Sequence, residues 1–154
     1  MDSQKDEYGL MTFTTFEDHD IELRHSYELD RRLFLTSILS IVAVHGLGGG
    51  REKTWRHPAS NKLWLRDFLP SDILNARVMS FGYNAKTAFT KSVMNIDVVA
   101  EALLAATHER RTSTNGTAKP IIFICHSLGG IIVKKASLDD HRWLRSPMLI
   151  YNRH

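Results

Sequence analysis

Short apolar runs alternate with segments of helical periodicity along most of this chain. Three runs rich in apolar and β-branched residues, at positions 38–44, 76–82 and 121–124, have the length of buried strands. Between the second and third runs, apolar residues recur at the spacing of one helix face: Ile96, Val99, Ala100, Leu103 and Leu104. We therefore expect a helix that ends at the segment 108–111, followed by a loop rich in Ser, Thr, Asn and Gly.

Two further helices are predicted beside these strands. The segment before the second strand predicts a short helix with three apolar residues on one face: Leu65, Phe68 and Leu69. Ser60 or Asn61 is the expected cap at its start, and Pro70 lies just past its expected end. Another helix is expected over residues 128–137. Because strands alternate with helices, the predicted fold class is α/β, with a mostly parallel sheet and flanking helices.

The chain divides by pattern into three parts. Residues 1–37 are polar and weakly patterned, and form either a tail or a peripheral strand-and-turn lead-in. Residues 38–137 hold the alternating strands and helices of one partial α/β domain. Residues 138–154 diverge from this pattern and are expected to be a C-terminal tail, in which residues 147–151 have the apolar character of the start of another strand.

Composition narrows the class of protein further. The 154 residues are 43% hydrophobic and 24% charged with a net charge of +3, which excludes wholesale disorder and offers no basic-aromatic pattern for nucleic-acid binding. The single Cys rules out an internal disulfide and fits a reducing compartment. The polar start is unlike a secretory signal, and no apolar run approaches the roughly 20 residues that span a bilayer. We expect an intracellular protein, soluble or peripheral to a membrane, and not a secreted one.

The clearest chemical signal lies at the end of the third apolar run. The run leads directly into Ser127, and Gly129 and Gly130 follow before a helical segment. This layout is typical of a nucleophile elbow, the sharp strand-to-helix turn that exposes a serine hydroxyl above a sheet. Cys125 stands in place of the first glycine of the usual G-x-S-x-G pattern. The competing interpretation is an ordinary helix-capping serine, which leaves the paired glycines unexplained.

Another glycine-rich turn lies earlier in the chain, directly after the first apolar run. Residues 45–48, with the sequence His-Gly-Leu-Gly, can bring the backbone close to a ligand and point an N–H group into a site. A tight turn without a ligand is the alternative. Nucleotide-binding loops do not fit, because Glu52 rather than glycine precedes Lys53, and a dinucleotide fingerprint would need glycine in place of Arg51.

Five motifs follow one another along the chain. They are His45-Gly-Leu-Gly-Gly49, Thr54-Trp55, Trp64-Leu-Arg-Asp-Phe-Leu-Pro70, Ala76-Arg-Val-Met-Ser-Phe-Gly-Tyr83 and Cys125-His-Ser-Leu-Gly-Gly130. In this order they resemble the serine esterase branch of the α/β-hydrolases, including the serine-active-site-containing proteins and fungal esterase-like domains at the N-termini of larger proteins. The resemblance covers about residues 38–136. It implies the N-terminal part of an α/β-hydrolase fold, incomplete at the C-terminal side.

The resemblance also implies which residues form a site. Ser127 would be the catalytic nucleophile, and the backbone N–H groups of Leu47 and Leu128 would hold the oxyanion. Four glycines would shape the two turns: Gly46, Gly48, Gly129 and Gly130. The implied substrate is a carboxylic or lipid ester, with no cofactor, no metal and no nucleic acid. The implied location is the cytoplasm, or peripheral association with mitochondrial or endoplasmic reticulum membranes.

Neighbouring reactive residues have simpler explanations. His126 adjoins Ser127, but adjacent side chains diverge at a sharp turn, so His126 is expected to pack or orient rather than act as the base. Cys125 lies at the buried end of a strand, where a free cysteine behaves as a small hydrophobe. The eight histidines do not form a zinc signature.

A serine hydrolase of this fold needs an acidic residue and then a histidine after the nucleophile. The candidates are few: Asp139, Asp140, His141 and His154. The first three are expected to point away from the serine, and His154 is the last residue. We therefore expect an inactive or incomplete fragment, whose sheet ends at the elbow strand and leaves an edge for a protein partner to cover. The alternative is a non-catalytic interaction module in a membrane-associated or signalling assembly.

Overall fold

The computed structural model describes residues 7–14, 39–73, 76–85, 93–111, 120–139 and 148–153. Within these ranges the strands are β1 (Gly9–Thr12), β2 (Leu39–Val44), β3 (Ala76–Gly82), β4 (Ile121–His126) and β5 (Met148–Arg153). The helices are α1 (Trp64–Asp67), α2 (Leu69–Asp72), α3 (Val93–Arg111) and α4 (Leu128–Asp139), with a 3-10 turn at Lys53–Trp55. The three predicted strands and the two longer predicted helices are confirmed.

The five described strands form one sheet in the order β1-β3-β2-β4-β5. β1 runs antiparallel to β3, and the other three pairs are parallel. A mostly parallel sheet with flanking helices confirms the α/β class. The register places Val44 beside both Phe81 and Cys125, so β2, β3 and β4 finish at the same edge. Residues that follow these strands therefore meet at that edge, where open α/β sheets bind their ligands.

The sheet is buried on both faces, because alternate residues of its central strand pack in opposite directions. In β2, Val42 and Val44 face a larger core that includes α3 and α4. Ile41 and Ala43 face a smaller core that includes Trp55. A central parallel strand needs apolar residues at consecutive positions, which explains the almost unbroken apolar run at 38–44.

The two long helices cover one face of the sheet with their apolar stripes. Ala100 and Leu103 of α3 are fully buried, as the helical spacing predicts. The stripe of α4 has four buried apolar residues in the same core: Leu128, Ile132, Val133 and Ala136. Burying a side chain of the size of Ile132 or Leu103 contributes about 1.5–3 kcal/mol. This packing holds α4, and with it the turn at its start, firmly on the sheet.

The segment before β3 departs from its prediction. It contains two short helices instead of one, and Pro70 lies in the first turn of α2 rather than past a helix end. Proline is tolerated there because the first N–H groups of a helix have no partner within it. Neither Ser60 nor Asn61 caps α1, since the N-cap residue is Leu63, whose N–H donates to the Asp67 carboxylate at 2.8 Å.

Both ends of the described chain add a strand to the sheet. β1, which comes from the polar lead-in, pairs antiparallel along β3. β5 pairs in parallel with the whole length of β4. The expectation that the sheet ends at the elbow strand is therefore wrong, because β4 lies between β2 and β5, and the run at 147–151 leads into a strand. The rest of the lead-in, residues 15–38, lies outside the described residues.

Candidate active site at the ends of the parallel strands

Ser127 lies at the junction of β4 and α4, at the edge where the parallel strands end. Its φ angle is +50°, in the left-handed region that costs a residue with a side chain about 1–2 kcal/mol. Among the described residues other than glycine, only Asn61 shares a positive φ, and asparagine adopts it more readily than serine. A helix-capping serine has extended backbone angles instead. The backbone of Ser127 is therefore that of a strained strand-to-helix turn and not that of a helix cap.

The Ser127 side chain is exposed, and its hydroxyl forms no hydrogen bond with the described residues. The first turn closes instead through the Gly130 N–H, which donates to the Ser127 carbonyl oxygen at 3.0 Å. Because α4 begins at Leu128, the N–H groups of its first turn have no partner inside the helix. The hydroxyl therefore stands at the positive, N-terminal end of α4, where developing negative charge is favoured.

The first glycine turn, at residues 45–50, and the second, at residues 127–130, are in direct contact. A Cβ atom added to Gly46 would lie 2.7 Å from the His126 carbonyl oxygen and 2.9 Å from the Ser127 Cβ, closer than non-bonded atoms pack. A Cβ on Gly129 would lie 2.7 Å from the His45 carbonyl oxygen. Neither glycine has a positive φ, so each is needed for close approach and not for an unusual backbone angle. The structure thus brings together the two motifs that the sequence places about 80 residues apart.

Gly48 and Gly49 shape the first of these turns. Gly48 has a φ of +69°, a conformation that glycine adopts without cost. The Gly49 N–H donates to the Gly46 carbonyl oxygen at 3.1 Å, and the next N–H, from Gly50, donates to the Thr54 hydroxyl at 3.1 Å. Thr54 therefore ties the turn to the 3-10 turn that follows it, a role that the motif alone did not reveal.

Leu47 and Leu128, the predicted oxyanion donors, lie one in each turn. The Leu47 side chain is half exposed, whereas that of Leu128 is buried in the larger core. Neither backbone N–H donates to another described residue. Unpaired backbone N–H groups in turns that meet at an exposed serine are the kind of donor that an oxyanion site requires.

His45 is a buried residue whose ring has both nitrogens engaged. The Tyr83 N–H donates to Nε2 at 3.3 Å, so the neutral ring carries its proton on Nδ1, which donates to the Gly46 carbonyl oxygen at 2.9 Å. Burial lowers the pKa of His45, because the charged ring would lose its hydration. A ring with this pair of bonds cannot take the Ser127 proton, so His45 is not the missing base.

Tyr83 packs directly on the His45 ring. The two rings are parallel within 9°, with centroids 4.3 Å apart, and the Tyr83 hydroxyl donates to the His45 carbonyl oxygen at 2.8 Å. Burial raises the pKa of Tyr83, so its hydroxyl stays protonated as a donor. Neither residue was singled out as functional from the sequence. The available signal was two polar ring residues, each placed directly after a buried strand.

Cys125 and His126 end β4 and directly precede Ser127. Cys125 is fully buried, and burial raises the pKa of its thiol to about 12, so the reactive thiolate does not form at neutral pH. The Nδ1 atom of His126 is buried and has no hydrogen-bond partner among the described residues. It lies 2.8 Å from the position that a Cβ on Gly46 would take, so this nitrogen faces the glycine turn.

The described part of the chain pairs no acidic residue with a histidine beside Ser127. Asp139 ends α4, a helix about 18 Å long, and its carboxylate pairs with Lys135 Nζ at 3.0 Å. It is therefore held at the far end of the helix from the serine. The other three downstream candidates lie outside the described residues: Asp140, His141 and His154.

Two open grooves on the described surface do not include Ser127. One is formed by the 3-10 turn and α1, and the other by β1, the end of β3 and α3. In the same described ranges, no three His, Cys, Asp or Glu side chains are grouped to hold a metal ion, and no helix is long and apolar enough to cross a bilayer.

Comparison with known proteins points to relatives that share one name. No protein-family profile matches the chain. Protein SERAC1 of Danio rerio is 27% identical over 117 residues, a match that covers 64% of this chain and 18% of the relative. Protein SERAC1 of Homo sapiens is 24% identical over 115 residues, with the same two coverages, and that of Mus musculus is 24% identical over 128 residues, covering 73% and 20%. The name stands for serine active site-containing protein 1. The chain thus spans about a fifth of the length of the curated relatives it matches.

Proposed function

We propose that Ser127 is the nucleophile of a serine esterase-type site, and that this chain carries the nucleophile and the oxyanion-binding half of that site on an α/β-hydrolase fold. One observation carries the proposal: an exposed serine with a positive φ at the end of a buried parallel strand, packed against Gly46. Strain of this kind costs stability and concentrates at functional sites. The relatives' name, which refers to an active-site serine, supports the same assignment.

In the proposed reaction, the Ser127 oxygen attacks the carbonyl carbon of a carboxylic or lipid ester. The carbonyl oxygen becomes negatively charged, and the N–H groups of Leu47 and Leu128 stabilise that charge. The carbonyl re-forms as the ester C–O bond breaks, and the alcohol leaves with the proton taken from the serine. Water then attacks the acyl-serine and releases the carboxylic acid and the free hydroxyl.

A general base must take the serine proton, and no described residue forms a hydrogen bond with the Ser127 hydroxyl. Both nitrogens of His45 are engaged, and Asp139 lies at the far end of α4. We propose that the base and its acidic partner come from outside the described residues, in this chain or in a longer protein that contains it. Loss of the base from a serine triad lowers the rate about a millionfold. The chain by itself is therefore expected to react slowly.

Covalent labelling with a fluorophosphonate tests the nucleophile directly. We expect the probe to bond to Ser127 in the folded chain, located by mass spectrometry of the modified peptide, and labelling to disappear in Ser127→Ala. Ser71→Ala is the matched control, because Ser71 is also exposed but its hydroxyl donates to the Phe68 carbonyl oxygen. Labelling that survives Ser127→Ala would contradict the assignment.

Added imidazole distinguishes a chain that lacks only the general base from a chain whose serine is inert. If the half-site is intact, imidazole supplies the base in solution, and the labelling rate of Ser127 should rise with imidazole concentration. A positioned base contributes about a hundred- to ten-thousandfold, so a free one should recover part of that factor. No labelling at high imidazole, on a sample that unfolds cooperatively in urea, would refute the proposal.

A non-catalytic interaction module is the second candidate. It is favoured by the lack of an acidic residue and histidine paired beside Ser127 within the described ranges. Such a module would act in a membrane-associated or signalling assembly, through peripheral membrane binding or a protein partner on the outer edge of β5. Location in the cytoplasm or at mitochondrial or endoplasmic reticulum membranes belongs to this proposal and rests on the family resemblance. In this case Ser127→Ala should leave binding to vesicles with the lipid composition of mitochondrial or endoplasmic reticulum membranes unchanged.

A further inference from the structure

A reciprocal pair of side chains supports the first glycine turn. His45 and Tyr83 each follow a buried parallel strand directly, and their rings stack 4.3 Å apart. The Tyr83 N–H donates to the His45 ring, and the Tyr83 hydroxyl donates back to the His45 carbonyl oxygen. The two residues are only 1% and 7% exposed, so water does not compete for these bonds.

These bonds set the orientation of two consecutive peptide units. A trans peptide is planar, and its C=O and N–H point in opposite directions. The Tyr83 hydroxyl holds the C=O of His45, and His45 Nδ1 holds the C=O of Gly46 together with the Gly49 N–H. The Leu47 N–H shares its peptide plane with the Gly46 C=O. Its direction is therefore set by the His45 ring.

The turn needs such a restraint because of its own composition. Four of the five residues at positions 46–50 are glycine, the residue with the greatest backbone freedom. A donor on a mobile turn loses part of its effect, because it must reorganise when charge develops on the substrate. An aromatic pair buried beside the turn removes that freedom without occupying the site.

We propose that His45 and Tyr83 are positioning residues, which lock the Gly46–Leu47 peptide so that the Leu47 N–H is aimed at the oxyanion. This inference rests on the proposed function, because it takes Leu47 as an oxyanion donor. Neither side chain touches the substrate. Each acts through the backbone of the turn. The Tyr83 hydroxyl holds the His45–Gly46 peptide, and the His45 ring holds the Gly46–Leu47 peptide.

Three variants and a control separate positioning from folding. Tyr83→Phe removes only the hydroxyl that holds the His45 carbonyl oxygen, and it keeps the ring stack. His45→Leu removes both ring bonds, whereas His45→Asn keeps a side-chain N–H near the position of Nδ1. Thr107→Val is the matched control, because it deletes a buried hydroxyl that donates to the Leu103 carbonyl oxygen at 2.7 Å within α3.

The rate of fluorophosphonate labelling at fixed imidazole, measured against probe concentration, gives a limiting rate and a half-saturating concentration. A misplacement of about 1 Å can cost a hundredfold, so we expect Tyr83→Phe and His45→Leu to lower the limiting rate tenfold or more. The half-saturating concentration should stay unchanged, and His45→Asn should recover part of the loss. If all variants label at the rate of Thr107→Val, the positioning role is overturned while Ser127 remains the nucleophile.

Amide relaxation measured by NMR decides the inference if the wild-type chain resists the probe. Failure of the wild-type chain to react would refute the proposed function, but the restraint that His45 and Tyr83 place on the turn can still be measured. In Tyr83→Phe, and not in Thr107→Val, the order parameter of the Leu47 amide should fall from the rigid value of about 0.85 toward 0.6 or below. An order parameter unchanged in both Tyr83→Phe and His45→Leu overturns the inference.

Discussion

Replacing Ser127 with glycine should stabilise the fold while it removes the proposed nucleophile. A φ of +50° costs serine about 1–2 kcal/mol that glycine avoids. Glycine also makes the unfolded chain more flexible, which offsets about 0.4–1 kcal/mol of that gain. The serine hydroxyl is exposed and bonds to no described residue, so its loss costs little. The expected net gain in the free energy of unfolding is about 0.8 kcal/mol, between limits of about 0 and 1.6 kcal/mol.

Two control variants isolate the backbone strain from other effects. Ser127→Ala removes the hydroxyl but keeps the Cβ atom and therefore the strain, so its stability should stay within about 0.5 kcal/mol of wild type. Asn61→Gly acts at the other described non-glycine residue with a positive φ, which is +53°. Asparagine tolerates this region better than serine does, so the gain at position 61 should be smaller than at position 127.

Urea unfolding followed by far-ultraviolet circular dichroism measures these differences, provided that the m value is unchanged between variants. In thermal melting, each kcal/mol should raise the Tm by about 2–4 °C for a chain of this size. A Ser127→Gly variant that is less stable than Ser127→Ala would refute the reasoning. It would show that Ser127 carries no left-handed strain and that the turn is not an elbow.

Three further predictions concern the same edge of the sheet. Gly129→Ala should lower the free energy of unfolding by about 1–3 kcal/mol, because its Cβ would overlap the Val44 carbonyl oxygen; wild-type stability would contradict this packing. The pKa of His45 is lowered in the fold, so the unfolded chain binds its proton more readily and stability should fall as the pH drops below the unfolded value of about 6.5. Urea titrations between pH 8 and pH 5 measure this fall, and an equal fall in His45→Leu would rule out His45 as its source. Cys125 should resist iodoacetamide at pH 8 and react only in urea, because its thiol has a pKa of about 12; ready reaction of the folded chain would show that the thiol is exposed.

Much of the fold follows from local patterns in the sequence. The apolar runs predicted β2, β3 and β4, because a strand buried on both faces needs apolar residues at consecutive positions. The helical spacing around Leu103 predicted α3, because a helix that packs on a sheet buries one face only. The segment around Pro70 was predicted as one helix and contains two, since proline can begin a new helix as well as follow an old one. Such boundaries depend on which hydrogen bonds are satisfied nearby, and composition alone does not settle them.

Some features of the site are encoded by adjacent residues, and others depend on how distant strands pair. Ser127, the two glycine turns and the oxyanion donors in them could be proposed from motif order, because each turn is encoded by adjacent residues. The bond between His45 and Tyr83 could not, because it joins residues 38 positions apart through the register of β2 and β3. The pairing of β5 with β4 is likewise a matter of register, and it removed the open edge that was expected at the elbow strand.

The sequence by itself determined the alternation of strands and helices, the positions of the glycine turns and the serine between them, because these depend on period and residue size over a few positions. Only the tertiary structure decided that the two turns touch, that Ser127 is held at a positive φ, and that the His45 ring bonds to the Gly46 carbonyl oxygen. The physical reason is distance along the chain. Contacts between strand ends exist only once the sheet has formed, and they are then dictated by which residues the register brings to the same edge.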